Sequence, residues 1–250
     1  MRQAGFFSSV LLLLVGAVSA FASDDVTQTD DVIHLAAPSI SNLVEEDGTG
    51  YYQKILSRAL ERSGLHVKET FYPYKRALAL FEQGRVDCIY SFTKVLFEKN
   101  GRDSVVASYP LGAFTYYLFA RKSESVPAIN ELSGKIIGGV LGHDAYLSSA
   151  LGDDVELRLV NGDNINLRLL ELGRIDYMAA ALPDMNPYLD TITYDPGQPL
   201  LSSFDRITCH RSVKNTAFIE KLSSVLSAMK ESGEYRAINP ELFLDFVEPL

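Results

Sequence analysis

Apolar and polar positions change period repeatedly along the chain. Short apolar runs of strand length, Val32 to Ala36, Leu65 to Phe71 and Val86 to Phe92, are separated by segments whose apolar residues recur every three or four positions. Within 52 to 63, for example, Ile55, Leu56, Ala59 and Leu60 share one face, and Gly64 follows the end. This switching predicts strands alternating with helices, a βαβαβ unit. Val105 to Ser108 and the β-prone run Ala113 to Ala120, with Tyr116 and Tyr117, predict two more strands on either side of a connector. The pattern then restarts: strand Lys135 to Leu141, a turn at Gly142-His143-Asp144 into a short helix, strand Val155 to Val160, helix Asp163 to Leu172, and strand Ile175 to Ala181. Pro183 to Ser203, rich in Pro, Asp and Gly, reads as a return connection. A late strand at Ile207 to His210 and an amphipathic helix over Asn215 to Ser232 precede a short helical tail.

One corner of the pattern occurs twice. Leu80-Phe81-Glu82-Gln83-Gly84-Arg85-Val86-Asp87 and Leu169-Leu170-Glu171-Leu172-Gly173-Arg174-Ile175-Asp176 share five of eight residues, and each follows a helical pattern and precedes an apolar run. Glycine suits the left-handed position past a helix end, and the short aspartate carboxylate accepts from nearby backbone amides. Duplication predicts two lobes built on one plan, with a ligand held between them. The expected fold class is α/β: two lobes, each a mostly parallel βαβαβ sheet flanked by helices, joined by a two-strand hinge. The expected division is 1–22 as signal peptide, 23–110 as lobe 1, 111–203 as lobe 2, and 204–250 returning to lobe 1. In open sheets of this kind ligands sit beyond the carboxyl ends of the strands, which directs attention to 38–45, 72–76 and 91–94.

A formal charge of -9 and a pI near 5.0 argue against a nucleic-acid partner, which would require a basic face. The start of the chain has the form of a secretory signal: Arg2, the apolar stretch Phe6 to Val18, and the small-x-small site Ala20-Phe21-Ala22. Cleavage near Ala22 is expected, with the competing reading a single-pass anchor, and export to the periplasm follows from cleavage. Ser23 to Asp31 is a polar, acidic leader. An oxidising compartment permits a Cys88–Cys209 bridge, while their apolar settings equally suit free buried thiols; the sequence leaves both open.

Several ordered motifs carry a family resemblance. They are Gly50-Tyr51-Tyr52, Gly84-Arg85-Val86-Asp87, Ser108-Tyr109-Pro110, Leu132-Ser133-Gly134-Lys135-Ile136-Ile137-Gly138, Gly173-Arg174-Ile175-Asp176 and Glu231-Ser232-Gly233-Glu234-Tyr235. With them the chain resembles the periplasmic solute-binding proteins of ABC transporters, in the two-lobed type II form related to amino-acid-binding members. The resemblance implies capture of a small polar solute by hinge closure, an ABC permease as partner, a monomer, and no cofactor. Two departures matter. The arginine that usually clamps a ligand carboxylate, three residues after the threonine here matched by Thr93, falls on Leu96, and the aspartate that usually meets a ligand ammonium falls on Ala181. Lys94 offers a point charge in place of the arginine, without its planar fork.

Candidate ligand-binding residues follow from position and chemistry. Arg76 either binds an anion or is a solvated helix residue; Tyr51, Tyr74 and Phe92 either wall the cleft or pack in the core. Thr93 and Lys94 follow the third strand. His143 and Tyr146 lie at a helix start that favours an anion or is simply capped, and Asn164 either reaches the cleft or caps its helix. Glu45 either receives an amine or is a solvated loop acid. No catalytic residue and no metal site is expected: a Gly-x-Ser-x-Gly elbow is missing from the sequence, and His34, His66, His143 and His210 lack metal-ligand spacing. Two alternatives remain: a periplasmic enzyme on the same fold resembling the cyclohexadienyl dehydratases, for which an acid such as Glu45 near Arg76 would be the minimum, and a ligand sensor without its own permease.

Overall fold

The computed structural model describes Met1 and residues 32–247, apart from the side chains of Phe92 and Ala145; the expected signal segment lies outside the described residues. In the first half β1 (Ile33–Pro38), β2 (Val67–Tyr72) and β3 (Cys88–Phe92) form a parallel triad with β1 at its centre, connected by α1 (Tyr51–Ser63) and α2 (Tyr74–Glu82). Next come α3 (Thr93–Asn100), β4 (Val105–Ala107) and β5 (Gly112–Arg121). The second half repeats the plan. β6 (Ile136–Val140) is flanked in parallel by β7 (Glu156–Val160) and β8 (Tyr177–Leu182), with α4 (Asp144–Leu151) and α5 (Asp163–Glu171) between them. After β9 (Ile192–Tyr194), β10 (Leu201–His210) leads into α6 (Val213–Glu231) and α7 (Glu234–Ile238), which pack in the first half beside α1.

The strand order β2-β1-β3-β10-β5-β8-β6-β7 places two parallel triads at the ends and the antiparallel pair β5 and β10 between them. β10 is the element that joins the halves. Its first residues, Leu201 to Asp205, pair with β5, and Asp205 to Cys209 pair with β3. Asp205 therefore belongs to both ladders. Each half buries its own apolar core, one around Leu35, Tyr52, Ile55 and Leu222 and others around Phe119, Ile137, Leu147 and Met178. The fold is two-lobed, with the two strands as the link.

Both copies of the repeated octapeptide form the same corner. Gly84 and Gly173 have φ of 66° and 64°, and the amides of Arg85 and Arg174 close the preceding helix on Leu80 O and Leu169 O at 3.0 and 2.8 Å. Cys88 and Cys209 stand directly opposite in the β3–β10 ladder and are disulfide-bonded. The late strand is longer than its apolar run predicts, beginning at Leu201 rather than Ile207. Ser202, Ser203 and Asp205 interrupt the run, but backbone pairing with β5 does not require apolar side chains. The supposed return connection accordingly contains β9, a 3₁₀ turn at Asn186–Tyr188 and the start of β10. Helix α3 was not apparent from the sequence because its only buried residues are Thr93 and Leu96, too few to mark a helical period.

Candidate functional site

The loop after β1 is built to reach the second lobe. Ile40 and Val44 form a bridge across it, and Asn42 between them has φ of 64°, the single positive value for a non-glycine among the described residues. Asparagine tolerates this left-handed state better than most residues. Glu45 fixes the loop: its Oε1 accepts from Asn42 N at 2.5 Å, while its own amide donates to Gln53 Oε1 at 2.8 Å. So braced, Asn42 donates its side-chain amide to Asp184 O at 2.8 Å, and Ser41 Oγ donates to Asp163 Oδ2 at 3.4 Å. Both acceptors belong to the second lobe. The close approach is also visible at Gly142, where a Cβ would meet Tyr74 Cδ1 at 3.0 Å.

Between these contacts lies a cavity of about 20 Å³, room for about one water molecule. Ile40 and Tyr74 line it from the first lobe, Phe114, Tyr116 and Asp205 from the linking strands, and His143, Tyr146, Ala181 and Asp184 from the second lobe. A chain of polar contacts fixes the rings. Tyr116 Oη lies 2.9 Å from His143 Nδ1 and 3.0 Å from Tyr146 Oη, and the Tyr74 hydroxyl bonds to that of Tyr146. The Tyr74 ring meets His143 edge-on at 4.4 Å between centroids. Burial pushes His143 down to about 3, so its imidazole is neutral near pH 7.

The charge at this cleft is acidic. Asp163, Asp184 and Asp205 are only 6%, 5% and 7% exposed. Burial raises Asp205 to about 7, opposed by the Tyr52 hydroxyl that donates to its Oδ2 at 3.1 Å. Burial likewise raises Asp163 to about 6, opposed by the Ser41 bond. Asp184 is raised well above the carboxylate range, first by burial and then by the neighbouring Asp163 charge, and its Oδ1 has no hydrogen-bond partner. No lysine or arginine is among the described residues lining the cavity.

The sequence-derived candidates divide. Tyr74, His143 and Tyr146 meet at the cavity. Glu45 braces the loop, and Tyr51 is a core residue whose hydroxyl donates to Tyr235 O at 2.9 Å. Arg76 is exposed with its guanidinium 5.8 Å from the Tyr72 ring centre. Thr93 is buried beside Thr208, with their hydroxyl oxygens 3.0 Å apart, and Lys94 is exposed near Glu98. Asn164 is exposed, with its Oδ1 accepting from Ile165 N. The Phe92 side chain lies outside the described residues, though its backbone pairs with Asp205. Ala181 faces the cavity, and Leu96 is buried in the first-lobe core.

Sequence reasoning missed the three acids, along with Phe114 and Tyr116, and it flagged the stretch 38–45 without singling out Ser41 or Asn42. Asp184 was within reach of the rule that ligands sit beyond strand ends, since it follows β8 by two residues. Asp205 carried a different signal, an acid inside a run that alternates like a strand.

No family profile matches this sequence, and no curated protein matches it either. Solved structures do match its shape. The GluR0 ligand-binding core from Nostoc punctiforme, in complex with L-glutamate, superposes with a TM-score of 0.71 at 14% identity, over 84% of this chain and 99% of that one. A mutant of ArgBP from T. maritima gives 0.68 at 17% identity, over 85% and 95% of the two chains. The amino acid ABC transporter substrate-binding protein AbpA from Streptococcus pneumoniae, bound to L-arginine, gives 0.68 at 14% identity, over 85% and 94%. At such identities the likeness defines the fold, that of the two-lobed type II periplasmic binding proteins.

Proposed function

We propose that this chain is a secreted solute-binding protein that closes over a small polar solute, amino-acid-like or another small organic ion, and delivers it to an ABC-type permease. In this reading the mature protein begins near Ser23 in the periplasm, works as a monomer, and divides into lobe 1 (23–110 with 204–250) and lobe 2 (111–203). The observation that carries the reading is the pair of bonds from Ser41 and Asn42 to Asp163 and Asp184, closed over a cavity lined from both lobes. A solute touching both walls favours the closed state by its differential affinity, and closure about the β5–β10 link makes that state recognisable to a membrane partner. The solved structures of similar shape, bound to L-glutamate and L-arginine, support the same class of role. For an enzyme, Glu45 and Arg76 would have to act together, yet Glu45 is engaged with its own loop and Arg76 lies over Tyr72.

The test is a thermal-shift screen of the mature protein against amino acids, amines, organic acids and small peptides. A true ligand at a hundred times its dissociation constant adds about 2.7 kcal/mol. It should be recovered unaltered after incubation, and Tyr74→Ala and Tyr146→Ala, one from each lobe, should each weaken it. A compound that binds both variants as well as it binds the parent, or is converted to product, overturns the reading.

A further inference from the structure

We infer that the solute taken by this cleft carries a cationic nitrogen, an ammonium or guanidinium, and no carboxylate. This deepens the proposed solute-binding role and rests on it. Two carboxylates, Asp184 and Asp205, line one cavity, Asp163 lies nearby where Ser41 bonds to it, and each of the three is more than nine-tenths buried. Asp184 lines the cavity and its Oδ1 has no hydrogen-bond partner, although a buried acceptor is normally satisfied. A positively charged end group admitted as the lobes part supplies that partner. The faces of Tyr74, Phe114, Tyr116 and Tyr146 complete a setting that attracts organic cations. Burial raises the three acids, and an incoming cation favours their ionised forms.

An α-carboxylate finds nothing comparable. Among the described lining residues there is no lysine or arginine, and His143 is neutral. Leu96 occupies the place of the clamping arginine and lies in the first-lobe core. The starts of α4 and α5 carry Asp144 and Asp163, so acids of the chain already occupy these helix ends; Asp144 Oδ1 accepts from Gly142 N at 3.1 Å. Lys75 and Arg76 line a separate open recess of about 330 Å³ on the other side of Tyr74. Inside the cavity a carboxylate meets Asp205, ionised above about pH 7, as a like charge, which selects against it.

The experiment is calorimetry on the mature protein at about pH 8 with matched pairs that differ only in the α-carboxylate: agmatine against L-arginine, putrescine against L-ornithine, cadaverine against L-lysine, with L-glutamate alongside. The expected result is that in at least one pair the decarboxylated member binds about tenfold or more tightly than its amino acid, and that Asp184→Asn, nearly the same in volume, weakens that amine about tenfold or more. If Asp184→Asn does not fold, Asp205→Asn is the second variant, with the same expectation. Should the amino acids bind as well as the amines, or L-glutamate bind where the amines fail, the ligand class is overturned and solute binding stands. If none of these compounds binds, the class is overturned, and a blank thermal-shift screen then removes the solute-binding reading as well.

Discussion

Asp87 and Asp176 make the same bond in the two lobes. Asp87 Oδ2 accepts from the amide of His34 at 2.8 Å, and Asp176 Oδ2 accepts from the amide of Ile136 at 2.8 Å. Each backbone amide returns the favour, Asp87 N to His34 O and Asp176 N to Ile136 O, both at 2.9 Å. In each lobe the aspartate thereby clips the start of the strand beside the link, β3 or β8, to the start of the central one, β1 or β6. This fixes which strand neighbours which before any core residue is considered.

Replacing either aspartate by alanine should therefore lower stability by a similar amount, about 1–2 kcal/mol, the usual worth of a hydrogen bond to a charged group at a part-exposed site. Urea unfolding of Asp87→Ala and Asp176→Ala checks this. A large loss in one and none in the other would show that the two corners are not equivalent.

Asn42 gives a cleaner test of the contact across the cleft. Asn42→Gly keeps the left-handed backbone and removes only the amide that reaches Asp184 O. Ligand affinity should fall about fivefold, the equivalent of a net bond worth about 1 kcal/mol. Small-angle scattering of the ligand-free variant should show a larger radius of gyration than the parent. An unchanged radius and affinity would remove this bond from the closing mechanism.

Stability of the ligand-free protein should fall as pH rises from about 4 to about 7. The unfolded chain releases the protons of Asp163 and Asp205 near the ordinary aspartate value of 3.8, whereas the folded protein holds them to about 6 and about 7. Their contribution is thus fully present below about pH 4 and lost by about pH 7, and the raised Asp184 acts in the same direction. His143 opposes them between about 3 and about 6.5, since its folded form stays neutral while the unfolded one binds a proton. The facing tyrosines Tyr52, Tyr116 and Tyr146 are all raised and do not titrate in this range. With three acids against one imidazole, the urea midpoint should be lower at about pH 8 than at about pH 5, and Asp163→Asn with Asp205→Asn should reduce the drop.

The Cys88–Cys209 bridge closes a loop with a sequence separation of 121 and ties the returning strand to the first lobe. Loops of that length place the stabilisation at about 5 kcal/mol in the chain-entropy account, an upper figure that native strain and residual unfolded structure reduce. Cys88→Ala with Cys209→Ala should lower the unfolding free energy by about 2–4 kcal/mol, and reduction of the parent should have a comparable effect. Equal midpoints with and without reductant would contradict it.

The alternating periods of strand and helix, the repeated corner and the two crossings were legible in the sequence because each is local: a period, a glycine after a helix, an aspartate before a strand. Which side chains meet was not legible. Asp163, Asp184 and Asp205 are separated by 21 residues at each step and lie on α5, after β8 and within β10, so only the packing of the two lobes about β10 brings Asp184 and Asp205 to one cavity, with Asp163 beside the Ser41 contact. The same holds for the disulfide, which depended on the register of β3 against β10. Local patterns determine elements because they depend on neighbours along the chain, whereas a cleft is decided by distances between residues that the chain keeps far apart.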